Sequence, residues 1–497
     1  MLLTADLLLN YQRCSRRAFL DRHGDLTQRD APNDYLLKLI QDSIANHREI
    51  LTGETYQKPS YRSGDWAAGA DATLELMRQG VDQIYQPVLR SEQAGVTLIS
   101  VPDLLTKQPG ESVFGDWIYV PTEIKLSKRP KQEYQIIVAY HVKVLAAVQE
   151  AWCESAWLLL RGKGFYEVDL WEAIPRMEMI LDECLATLKA DQEPEVFISR
   201  SRCSLCHWYG HCYAIAKADQ HLSLLPGVTP SRYLQLQALN LTTLESLADL
   251  HPNKLELLPG FGGEAARKLV RQAQSTVQNR ALLGESYAAL PDTEPQNGHK
   301  PIHRSYDSSI PTAPIELYFD IEAEPSLNLI YLHGVLVVDR QKQTEVFHSL
   351  LAEKPEDESK IWQEFLDLVW AYPDAPIFHF CLFEVQTVGQ LAELYGTPRE
   401  QITPLLARFV DLHERVTKSV TLPVESYALK HIARWLGFDW RDSSANGAQS
   451  IYWYAQWLAT GDRAFLDSIV IYNEDDCRAT YHIKEWLTGF FESQDIH

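Results

Sequence analysis

The sequence predicts an α/β chain of more than one domain, and three observations carry that reading. Runs of branched and aromatic residues, at 96–105 (VTLISVPDLL), 117–126 (WIYVPTEIKL), 315–321 (IELYFDI) and 329–338 (LIYLHGVLVV), have the composition and length of strands. Other stretches, such as 230–281 and 468–483 (SIVIYNEDDCRATYHI), carry helical apolar spacing. The stretch 282–314 is rich in Pro, Asn, Gly, Ser and Asp, has no apolar period and reads as a linker. The predicted organisation is a first domain over 1–220, a helical segment over 221–281, the linker over 282–314 and a second α/β domain over 315–497.

The opening residues MLLTADLLLNYQRCSRR place their apolar stretch before their arginines, the reverse of a secretory signal. Thr4 is positioned as an N-cap, which predicts a structural helix. With 45% hydrophobic and 23% charged residues the composition is ordinary globular material, and 497 residues suffice for two to four domains. No apolar run reaches the length of a membrane span, so no membrane partner is expected and the compartment is read as cytoplasmic and reducing. A formal charge of −21 argues against indiscriminate polyanion binding, because phosphate contacts need Lys and Arg. Arg13, Arg16, Arg17 and Arg22 form one local basic cluster and Lys125, Lys128, Arg129 and Lys131 another; each is a phosphate site or a solvated face.

Within the first domain, Glu123 and Lys125 stand two apart on a predicted strand and project to one face, with Ile124 turned toward the core. Asp103, on what reads as the neighbouring strand, can meet them there. Two carboxylates about 4 Å apart at an effective dielectric of ~20 repel by roughly 4 kcal/mol, so such a pair calls for a proton or a cation. Mg2+ or Mn2+ would polarise a water for attack on a phosphodiester, with Lys125 orienting it. A salt-bridged hairpin would use the same residues without chemistry.

These residues resemble the PD-(D/E)xK nucleases, specifically the RecB-like branch that includes CRISPR-associated iron-sulfur exonucleases. The resemblance rests on Pro102-Asp103, Glu123-x-Lys125, the downstream Gln135 and Tyr140, and His47 in IANHREI. It implies a restriction-endonuclease-like fold, His47, Asp103 and Glu123 as metal ligands, and Glu123, Lys125, Gln135 and Tyr140 as catalytic residues. One departure is that Gln135 and Tyr140 are five apart, where the family usually spaces them by four.

Cys203, Cys206 and Cys212 (CSLCHWYGHC) are too tightly spaced for a comfortable disulfide and suit ligands gathered on one centre. Spacing leaves Zn2+ and an iron-sulfur cluster both open, and His207 and His211 support the zinc alternative. The resemblance implies a [4Fe-4S] cluster, with Cys14 as the fourth ligand and a folding role. Cys153, Cys184, Cys381 and Cys477 lack partner spacing and read as buried thiols.

In the helical segment, Leu258-Pro259-Gly260-Phe261-Gly262 predicts a tight turn between two helices and resembles a helix-hairpin-helix motif, in which glycines admit a phosphate to backbone amides. Lys268 and Arg271 would assist; a plain helical hairpin is the alternative.

The last domain places Asp320 and Glu322 on one strand face, and Tyr472 and Asp476 four apart on one helix face. This resembles the DEDD exonucleases of the RNase H-like fold, and more narrowly the YprB-like relatives, in which Tyr472 would orient the nucleophile and the acids would hold metal. The middle acid is expected at Glu384 in His379-x3-Phe383-Glu384, with His for the usual Asn and Glu for the usual Asp. Asp411 and Asp475 are fallback ligands, and SYALKHIARWLGFDW reads as an amphipathic packing helix.

No P-loop is present, so ATP-driven unwinding would need a separate helicase. The expected function is metal-dependent hydrolysis of DNA, exonucleolytic on single-stranded ends, in repair, recombination or defence. A nucleic-acid-binding scaffold with an idle C-terminal domain and a ribonuclease are the alternatives.

Overall fold

A computed structural model describes residues 1–284 and 310–494. The chain forms two compact units, Met1–Ile215 and Ala216–His497. Most of the stretch read as a linker, 285–309, lies outside the described residues.

In the first unit, Thr4 caps the helix Ala5–Arg13 by accepting from the Leu7 amide at 3.2 Å. The expected single strand over 96–105 is instead two elements in different sheets. Val96–Ser100 lies between Leu2–Thr4 and Leu89–Gln93, whereas Leu104–Ser112 lies between Gln83–Tyr85 and Gly115–Lys125. The switch falls at Val101-Pro102-Asp103, where proline has no amide to donate to a ladder. Gly115–Lys125 continues into a parallel pairing with Trp157–Leu160, with Glu123 opposite Leu158. A parallel neighbour requires a crossover, and the helix Gln132–Gln149 supplies it. That helix is buried on nearly every side, as its apolar run (QIIVAYHVKVLAAV) demands.

In the second unit, Ile315–Glu324 and Leu329–Asp339 form the expected antiparallel hairpin, with Asp320 paired to Gly334. The sheet is completed by antiparallel Thr344–Leu351 on one side and parallel Ile377–His379 and Phe409–Asp411 on the other. Leu317, Phe319 and Ile321 face one core with Trp362 and Phe365, while Tyr318 faces another with Cys477 and Ile483. This period-two alternation fixes which face receives the acids. The helix read at 468–483 lies within a longer one, Arg463–Gln494.

The helical segment belongs to this second unit. Its last helix, Gly263–Gln278, is tied down where Gln272 donates to the Leu422 carbonyl at 2.6 Å and Ser275 to the Thr421 carbonyl at 3.1 Å. Leu282–Leu283, read as linker, forms a strand with Val420–Thr421. The glycine turn is present, with φ of 81° at Gly260 and 122° at Gly262, but the helix before it, Asn253–Glu256, is a single turn. Arg271 donates to the Leu283 carbonyl and Lys268 pairs with Glu264 at 2.6 Å, so both basic residues expected to assist phosphate binding have protein partners. No helix among the described residues is long and apolar enough to cross a membrane.

Candidate active sites

The C-terminal site is built by one strand and one helix. Asp320 and Glu322 project from the same face of Ile315–Glu324, and the long helix brings Asp476 over them, so that ligand oxygens of all three lie within 4.8 Å of one another. At a dielectric of ~20 and this spacing, each charged pair would repel by about 3.5 kcal/mol. Their titration reflects it. Burial first, and then Asp476 and Glu322, hold Asp320 far above the usual carboxylate range. Burial and Asp476 push Glu322 up to about 8. Burial raises Asp476 to about 7, against hydrogen bonds from Tyr472 and from Trp440, whose Nε1 donates to Oδ1 at 2.7 Å. A cluster of hard oxygen donors that resists ionisation when alone fits a divalent cation, which removes the repulsion.

Tyr472 is buried beside Asp476, and burial followed by the neighbouring acids keeps its phenol protonated. Glu384, expected as a ligand, is not among the converging trio. It sits in the first turn of Phe383–Leu394 with His379 Nδ1 at 3.4 Å from its Oε2, and it acts on Asp320 as a further repelling charge. The two fallback ligands have structural tasks. Asp411 accepts from the amides of Glu414 and Cys381, each at 3.1 Å, and Asp475 pairs with Arg441 at 2.8 Å. Cys381 is half-buried with φ of 87°, unlike the buried Cys153, Cys184 and Cys477.

The N-terminal residues meet as two pairs. Asp103 Oδ2 accepts from the Ile124 amide at 2.7 Å, while its Oδ1 lies 3.8 Å from His47 Nδ1. Glu123 Oε1 lies 2.5 Å from Lys125 Nζ, and Oε2 lies 3.2 Å from His141 Nε2. Burial raises Asp103 far above the usual range, whereas Lys125 and His141 outweigh burial at Glu123 and hold it at about 2. Lys125 is correspondingly raised to about 12, with Glu123 and Asp103 overcoming its burial. His47 is lowered by burial and by Lys125. Among the described residues, three ligand atoms converge within 4.8 Å at the C-terminal site and not here.

Two expected N-terminal residues lie elsewhere. Tyr140 is wholly buried, with its hydroxyl donating toward the carbonyls of Leu3 (3.1 Å) and Ile99 (3.2 Å), so it joins core elements and does not reach Glu123. The Gln135 amide is spent on the Pro130 carbonyl at 2.9 Å. The residues of that helix that meet the acid-lysine pair are Tyr134 and His141. Lys125 Nζ stands 5.6 Å from the Tyr134 ring centroid, and His141 is held between Glu123 and Ser100, whose Oγ is 2.7 Å from Nδ1. His141 was legible as the i+7 partner of Tyr134 on one helix face, a spacing eclipsed by the Gln and Tyr pair.

The four cysteines border one cavity, but their sulfurs are not among the ligand atoms that converge within 4.8 Å. Cys14, Cys203, Cys206 and Cys212 line one cavity with Arg13, Arg16, Arg17 and Arg202, and no disulfide is present among the described residues. Burial raises Cys203 and Cys206 and pushes Cys212 up to about 11. Of the arginines on this cavity, Arg13 is paired with Glu133 and Arg16 with Glu193. His207 is engaged elsewhere, with Nε2 2.6 Å from Asp21 Oδ1.

Residues 317–488 match the family model of the RNase_H superfamily. The second unit therefore contains an RNase H-like domain, and its acidic trio lies inside the matched stretch. Domains of this class usually employ divalent metals, and membership points to nuclease-type chemistry. No curated protein matches the chain.

Proposed function

We propose that this chain is a divalent-metal-dependent nuclease whose principal site is Asp320, Glu322 and Asp476, acting on DNA and releasing nucleotides from single-stranded ends. The observation that carries the reading is the convergence of those three carboxylates within 4.8 Å inside an RNase H-like domain. Bound Mg2+ or Mn2+ would supply Lewis-acid activation of water and charge neutralisation at the phosphate. The chain's own residues hold the geometry. Trp440 fixes one oxygen of Asp476, and Tyr472, kept protonated, gives its hydroxyl proton to Asp476 and would orient a water as an acceptor. Asp320→Asn should abolish metal-dependent release from end-labelled DNA; undiminished release would overturn the assignment. Running labelled RNA beside the DNA tests the ribonuclease alternative.

A second hydrolytic site at Asp103, Glu123 and Lys125 is favoured by one specific observation. A buried carboxylate-lysine pair lies beside a carboxylate that burial keeps poorly ionised. His47, Asp103 and Glu123 are the candidate ligands there, and the two pairs would have to close on a common ion. Lys125→Ala separates the sites, since loss of cleavage with Asp320 intact would place chemistry in the first unit. The cysteine centre is read as a [4Fe-4S] cluster that secures the first unit, with Zn2+ as the alternative. Anaerobic purification with iron, sulfide and zinc analysis decides between them.

A further inference from the structure

Asn473 lies between Tyr472 and Asp476 in the sequence, yet it belongs to no ligand pattern read from that sequence. Its side chain is wholly buried, and Nδ2 donates to Asp320 Oδ2 at 2.6 Å. Glu322 stands near enough for the same amide to favour its charged form. Asn473 Oδ1 is buried with no hydrogen-bond partner and lies against the backbone of Gly334, where a Cβ would come within 1.6 Å of it. Gly334 is the residue paired with Asp320 across the hairpin. Strand and helix thus approach closely because position 334 has no side chain, and the amide fills that space.

We propose that Asn473 is a positioning residue, which holds Asp320 in ligand geometry before the cation arrives, and that Gly334 exists to admit it. The inference rests on the metal-site reading of the trio. The chemistry of the side chain supports the role. A single amide nitrogen carries two hydrogens, so one remains beyond the bond to Asp320. Lys or Arg here would bring a competing cation, and Asp would add a fourth repelling charge. A neutral donor orders Asp320 and leaves its charge for the metal. The unpaired Oδ1 opposes folding, since a buried acceptor normally finds a partner, so the position is occupied at some expense to stability.

The test uses the full chain carrying Glu123→Gln, so that manganese at the first unit does not contribute. Mn2+ affinity is titrated by electron paramagnetic resonance, with cooperative unfolding in EDTA as the control for folding. Asn473→Ala and Gly334→Ala should each weaken Mn2+ binding about tenfold or more, the loss typical when a group that orients a ligand is removed. Asn473→Ser, which keeps a smaller donor, should recover part of the affinity. The kcat on DNA should fall in Asn473→Ala while KM stays. Parental affinity in folded Asn473→Ala, or equal losses in the Ala and Ser variants, would overturn the donor role. If Asp320→Asn also leaves Mn2+ affinity unchanged, the trio holds no metal and the proposed function fails along with this inference.

Discussion

Replacing Glu322 by Gln should stabilise the metal-free protein, and only in a defined pH range. Glu322 ordinarily titrates near 4.5, but burial and the adjoining Asp476 raise it to about 8 in the folded chain. Below the ordinary value both folded and unfolded chains carry the proton, so there is no penalty. As pH rises, the unfolded chain releases the proton while the folded chain retains it, and stability falls by up to about 1.4 kcal/mol per pH unit until the folded value is passed. At pH 7 the accumulated penalty is about 3 kcal/mol, taken over the interval above the ordinary value. Glu322→Gln removes it, since the amide keeps the shape and never ionises. Urea unfolding of the second unit in EDTA at pH 5 and pH 8, for parent and variant, measures the difference. The variant should gain at pH 8 and scarcely at pH 5. Adding Mn2+ at pH 8 should raise the parent's transition, since ligand bound to the folded form stabilises by mass action, and should leave the variant's nearly unmoved. A variant less stable than the parent at pH 8, or an equal change at both pH values, would refute the argument that burying a charged Glu322 beside Asp476 opposes folding.

Three other outcomes follow from the first unit. Tyr140→Phe should leave cleavage unchanged and lower stability by about 1 kcal/mol, because its hydroxyl serves two core carbonyls; loss of activity without loss of stability would return it to the site. His141→Ala removes a contact to buried Glu123 and a partner of Ser100 and should destabilise the first unit by roughly 1–3 kcal/mol, read by denaturant unfolding of that transition; a neutral effect would show that Lys125 alone holds the carboxylate. Cys206→Ser should lower metal recovered per chain and loosen the segment around Cys203 and Cys212, visible as faster proteolysis there; full metal retention would remove Cys206 from the ligand set.

Much of the C-terminal site was legible because its signals are local. A period of two along Ile315–Glu324 puts Asp320 with Glu322, and a spacing of four along Arg463–Gln494 puts Tyr472 with Asp476. Backbone geometry alone carries these relations, as it carries the Thr4 cap and the turn at Gly260 and Gly262. The spacing of Cys203, Cys206 and Cys212 is likewise local, whereas Cys14 was joined to them only through the resemblance.

Relations across elements were decided only when the chain packed. The break at Pro102 separates Val96–Ser100 from Leu104–Ser112, and the two pair in different sheets. Rotation of the helix Gln132–Gln149 decided that Tyr134 and His141 would face Glu123 and Lys125, and that Tyr140 would bury its ring in the core. Glu384 lies beside His379 and outside the acidic trio, and Asn473 met Asp320 because Gly334 let a helix come close to a strand. Periodicity specifies the face on which a side chain emerges. Only the packing of one face on another specifies what it meets, because that depends on the volume and hydrogen-bonding needs of residues far away in the sequence.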